Sequence, residues 1–149
     1  MITEVILSAT HILLIMGWVT FLAAQTALCH IPWNQSAVLL RLMRLDKLAW
    51  VCALLLLVSG FARMFLGMKG WLFFATQWAL YAKLAVFFLM LVLEFWVSFR
   101  YRSWFAQWQG QQQLPEPAQI KKVYRVLMIQ THLMVALPIL AALLARGIV

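Results

Sequence analysis

A chain of 149 residues that is 66% hydrophobic, 11% charged and has a mean hydropathy of +0.92 is not a water-soluble domain, because those run nearer half apolar with about a quarter charged. The net charge of +8 would point to nucleic acid in a soluble protein. Here the basic residues gather in two loops, which is a topology signal of a membrane chain and argues against a nucleic-acid partner.

The first apolar run, Val5 to Leu28, predicts a transmembrane helix. No basic segment precedes it and the only early charge is Glu4, so it is expected to remain as a helix rather than be cleaved as a signal peptide. At 100° per residue, Ser8, His11, Trp18, Leu22 and Gln25 share one face. Residues 29–47 form a loop with Arg41, Arg44 and Lys47; its R-L-M-R-L-D-K stretch suggests that Arg44 and Asp46 cap and charge the start of the next helix. His30, beside Pro32 and Trp33, reads as solvated.

The second helix is predicted over Leu48 to Leu66, with Cys52, Leu56, Ser59 and Arg63 as a stripe. A short loop follows, with Lys69 as its one charge and a tight turn expected at Lys69-Gly70. The third helix is predicted over residues 78–99, with Lys83, Phe87, Met90 and Glu94 on one stripe. Residues 100–125 form the third loop, and its polar, Pro/Gly-interrupted segment from Gln107 to Pro117 reads as a mobile linker. The fourth helix is predicted over residues 126–145 and carries Gln130 and His132.

Each run has about the 20 residues needed to cross ~30 Å of hydrocarbon. The expected fold is therefore all-α: one domain, residues 1–149, folded as a four-helix transmembrane bundle. Loops 29–47 and 100–125 hold eight of the twelve Lys/Arg. The positive-inside rule puts them in the cytoplasm and both termini on the periplasmic side of a bacterial inner membrane. Trp33, Trp50, Trp104 and Trp108 then fall at the cytoplasmic interface and Trp71 and Trp78 at the outer one, while Trp18 lies mid-span. Cys29 and Cys52 lack a metal-site spacing and lie near the reducing side, so a disulfide is not expected. No G-x-S-x-G, H-E-x-x-H or phosphate-loop motif is present, which argues against a hydrolase.

Function should reside in polar groups inside the hydrocarbon, since a charge at the centre of a bare helix costs about 2.5–3.5 kcal/mol. The set is His11, Arg63, Lys83, Glu94 and His132, with Gln25 and Gln130 as uncharged companions. Counting helical rise from the outer end, His11 lies about 9 Å in, Lys83 about 7–8 Å and Arg63 about 4–5 Å. Three basic groups from three helices at one depth suit an anionic ligand group such as a carboxylate; snorkelling of Arg63 and Lys83 to the headgroups is the plain alternative. His132 lies about 10 Å deeper than His11. One flat haem could not easily take both as ligands, so His132 is expected to pair with Glu94 or reach the interface.

Several stretches resemble a known family. His11, R-L-x-R-L-D (Arg41 to Asp46), the run from Ser59 to Phe74, A-K-L-A-V-F (Ala82 to Phe87) and P-I-L-A-A-L-L-A-R-G (Pro138 to Gly147) resemble the bacterial membrane family called domain of unknown function 2214. More distantly, the early histidine, the arginine-rich approach to helix two and W-x-x-x-A-K-L at the start of helix three resemble the HemJ-type protoporphyrinogen oxidases, four-helix membrane proteins that bind haem b. That second resemblance implies His11 as a haem iron ligand and Lys83 as its functional lysine. Unlike those proteins, this chain has no proline in its second helix.

The leading expectation is a membrane protein that binds haem b or a porphyrin, with oxidoreductase activity as its enzymatic form. His11 would be the axial ligand, Lys83 opposite or nearby, Arg63 on a propionate and Trp18 against the macrocycle. The alternatives are an accessory or assembly subunit of a membrane complex, in a homo- or hetero-oligomer, and a small-anion carrier using the same basic cluster.

Overall fold

The computed structural model describes residues 2–67 and 70–146, without the side chains of 144–146. Four long helices dominate: α1 (Ile2–Leu28), α2 (Ser36–Leu66), α4 (Trp78–Gln111) and α5 (Pro117–Arg146). A 3-10 turn, Ile31–Trp33, joins the first two, and a short helix α3 (Gly70–Ala75) lies between α2 and α4. Among the described residues, four helices are long and apolar enough to cross a membrane. They form a ring in chain order: α1 packs on α2, α2 on α4, α4 on α5 and α5 back on α1. Short antiparallel connections produce that arrangement.

The helices are longer than their apolar runs. α2 starts at Ser36 instead of Leu48, α4 runs to Gln111 instead of Phe99, and α5 starts at Pro117 instead of Val126. Most of the two basic loops is therefore helical. Hydropathy marks only the part of a helix that lipid surrounds. The basic extensions keep good helix formers and bury Leu39, Leu42, Tyr101, Trp104, Ile120 and Val123 in the same core. At 1.5 Å per residue, α4 is about 50 Å long and must extend beyond ~30 Å of hydrocarbon. The polar linker shrinks to residues 112–116. It begins at Gln112, which takes the left-handed conformation (φ 54°) that closes a helix. It is fastened where the Asn34 side chain donates to the Pro115 carbonyl at 2.9 Å. Pro117 then opens α5, where its missing N–H has no cost.

These bounds correct one reading. Arg44 and Asp46 cap nothing: both lie well inside α2. Arg44 is exposed, whereas Asp46 is buried and accepts a 2.5 Å hydrogen bond from the Ser98 hydroxyl of α4. Ser98 in turn accepts from the Trp50 indole at 2.8 Å. Trp104, expected at the interface, is 1% exposed and donates to Gln119. Gly70 has φ +69° and follows Gly67 in a turn, while Lys69 lies outside the described residues. Cys29 is a free thiol that burial pushes up to about 12, with the nearby Tyr101 hydroxyl acting weakly the other way.

The α1–α2 contact depends on a small residue. A Cβ placed on Gly17 would meet the Cys52 sulfur at 3.2 Å, and membrane helices associate through such close approaches. Gly17→Leu should lower stability by about 1–3 kcal/mol, the usual cost of overpacking. A denaturation midpoint in mixed micelles will read this, and an unchanged midpoint would show that α1 and α2 can separate there at no cost.

Candidate functional site

The inward faces stack into layers. From the α3 end downward, α1 buries His11, Trp18, Leu22 and Gln25. α4 runs in the same direction and buries Phe87, Met90, Glu94, Ser98, Tyr101 and Trp104. α2 and α5 run the other way, so Arg63 and Pro138 face the top while Asp46 and Ile120 face the bottom.

At the α3 end the four helices part around a cavity of about 620 Å³. His11 from α1, Arg63 from α2 and Lys83 from α4 all line it, with Trp18 and Phe87 below them and Phe74 of α3 above. Trp18 meets Phe87 edge-on, with centroids 5.4 Å apart. The remaining lining is largely aliphatic, including Leu56, Met134, Leu137 and Pro138. Pro138 cannot donate to the carbonyl of Met134, so α5 lacks one of its own hydrogen bonds beside the cavity.

His11 is 5% exposed, and its Nδ1 pairs with the Ser59 hydroxyl of α2 at 2.8 Å. Ser59 also donates to the Leu56 carbonyl at 3.0 Å. With that proton committed, Nδ1 carries the imidazole hydrogen and donates to Ser59, which leaves Nε2 as a lone-pair acceptor. A Cβ on Gly60, one residue on, would stand in ordinary van der Waals contact with the ring, 3.6 Å from the His11 Cε1. Glu4 lines the cavity as well. It stands two turns before His11 on the same face of α1, a spacing visible in the sequence that the polar set above leaves out.

A second polar centre lies deeper. Glu94 of α4 is fully buried; the Gln130 amide of α5 donates to its Oε2 at 2.8 Å and the Gln25 amide of α1 to its Oε1 at 3.3 Å. Gln130 also donates to the Met90 carbonyl at 3.2 Å. Both glutamines are fully buried. His132 takes no part in this centre. It is exposed on α5, with its Nδ1 2.6 Å from the Met128 carbonyl of its own helix. It lies two residues, about 200°, from Gln130, so the two side chains point to opposite sides of α5. The predicted pairing of His132 with Glu94 is thus replaced by the two carboxamides. Among the described residues, no three His, Cys, Asp or Glu side chains cluster as a metal site.

Four apolar helices around a cavity that collects basic groups define a multi-pass membrane protein with a ligand-sized cleft between its helices. The profile of the DUF2214 family, described as a predicted membrane protein, matches residues 3–149, and the chain belongs to that family. No curated protein and no solved structure matches it.

Proposed function

We propose that this protein, seated in a bacterial inner membrane with its α3 end toward the periplasm, binds haem b or a related porphyrin in the α3-end cavity. The observation that carries the reading is that three basic side chains from three helices, with Glu4 as the acid among the lining residues, converge on one largely apolar chamber. Its volume of about 620 Å³ falls within the ~300–1,000 Å³ of ligand pockets.

The donor set suits this group. An imidazole whose Nδ1 is held by a neighbour has its tautomer and ring plane fixed and offers Nε2 to a metal, and the Ser59 contact to His11 supplies that support. Arg63 and Lys83 suit carboxylate side arms, for which a guanidinium offers paired donors and an ammonium a point charge. Trp18, Phe87 and Leu56 supply an apolar floor. One-electron redox chemistry would belong to the bound cofactor. The chain's own contribution is to hold the imidazole, neutralise the carboxylates and keep water from the floor.

The orientation rests on the basic residues of the opposite end, Arg41, Arg44, Lys47, Lys121 and Lys122, all exposed. The test is the visible spectrum of protein purified in mild detergent after growth with haem supply. A Soret band is expected, and His11→Ala should abolish it while leaving a folded protein. A colourless wild type that stays colourless when titrated with haem refutes the reading.

A further inference from the structure

Glu94 presents a different problem from the cavity. A carboxylate in a dry interior is costly unless a cation or several donors face it. The side chains in contact with Glu94 are Gln25 from α1 and Gln130 from α5; the titratable groups that act on it from a distance are Asp46 from α2 and Tyr101, two turns along its own helix. None of them is cationic. The nearest basic side chains on the α4 stripe are Lys83, three turns away in the cavity, and Arg102, two turns the other way.

The surroundings are also short of partners. Oε1 of Gln25 and Oε1 of Gln130 are buried with no hydrogen-bond partner. Unmet acceptors next to a buried acid mark a place where a proton or water is missing from the account.

We propose that Glu94, held between Gln25 and Gln130, is an intramembrane proton-binding site. The carboxylate takes up H⁺ to become a neutral carboxylic acid, and no other bond changes. In the acid form its new O–H can donate to a carboxamide oxygen if that amide turns over, and the two readings of an amide are equivalent in shape. The longer of the two contacts, 3.3 Å to Gln25, identifies the amide that turns.

The proton reaches Glu94 from the basic end of the bundle. Toward the cavity, the next layers are Met90, Leu22, Phe87 and Trp18, all buried and carrying no titratable group. In the other direction, Ser98 follows one turn along α4 and holds Asp46, and Tyr101 follows one turn further. This makes Glu94 the closed end of a polar half-channel, independent of what the cavity binds.

Infrared difference spectra of the detergent-solubilised protein, titrated from alkaline to acid pH with no porphyrin present, test this directly. A carbonyl stretch of a protonated carboxyl should grow in. With Glu4 and Glu116 both changed to Gln, it should persist and shift with isotope-labelled glutamate, and it should vanish when Glu94→Gln is added to that background. If Glu94→Gln does not fold, Glu94→Asp should keep a band at a different frequency and lose its response to glutamate labelling. In the Ser98→Ala, Asp46→Asn double variant, deuterium exchange of the band should slow several-fold. Absence of a glutamate band at every pH overturns the site, and unchanged exchange in the double variant overturns the route. Neither result depends on whether the cavity takes haem.

Discussion

Trp18→Ala is expected to destabilise the protein by about 3–5 kcal/mol, the range for truncating a buried aromatic in a packed core. Trp18 is 0% exposed, contacts Phe87 edge-on and forms the floor that separates the cavity from the layers below. In lipid there is little hydrophobic gain on helix association, so lost van der Waals contact must account for most of the cost. Trp18→Phe separates shape from polarity. The Trp18 indole N–H is buried without a partner, and removing an unmet donor offsets part of the lost volume. The phenylalanine variant should therefore stay within about 1–2 kcal/mol of the wild type. Reversible unfolding in mixed micelles will read both. Equal losses for the two variants would mean that the indole N–H has a partner and that Trp18 is held by polarity.

The second large effect concerns binding. Changing Arg63 and Lys83 together to Met should weaken binding of a dicarboxylate porphyrin by about a hundredfold or more, since each charge-assisted hydrogen bond contributes about 1.5–3 kcal/mol. The esterified porphyrin, which lacks the charges, should bind the wild type and the double variant equally. Spectral titration of the four combinations gives the answer. The proposed role of the basic pair is lost if the ester and the free acid respond alike. The same double variant should be more stable than the wild type in the absence of ligand. Arg63 and Lys83 are like charges facing one largely apolar chamber whose lining offers them a single carboxylate, Glu4, so with no ligand anion bound they repel each other at low dielectric. Higher stability together with lower affinity is the mark of a binding site, where groups are retained at the expense of the fold. Two snorkelling side chains would show neither change.

The sequence was most informative where physics acts along one helix. Lipid leaves no choice but to satisfy the backbone internally, so four apolar runs imply four helices. The wheel through Ser8, His11, Trp18, Leu22 and Gln25 already describes the buried face of α1, with Ser8 half-buried, because a rigid 3.6-residue period sets which residues lie together. The helix extensions were hidden for the complementary reason. Hydropathy reports lipid contact, and the stretches Ser36–Lys47 and Arg100–Gln111 are helical through packing on one another outside the hydrocarbon.

Which side chains meet across the bundle was decided only by the tertiary structure. Glu94 and His132 carry complementary chemistry and similar depth in the sequence, yet the rotation of α5 presents Gln130 to Glu94 and turns His132 outward. Asp46 resembles a helix-end charge, yet its helix starts ten residues earlier and Ser98 meets it in the core. The chain by itself determined a membrane bundle with one semi-polar face on each of the first three helices, because burial and periodicity are local. The ring order and the rotation of each helix then decided that His11, Arg63 and Lys83 share a cavity while Glu94 is enclosed by amides, because contact between helices depends on angles that no single segment encodes.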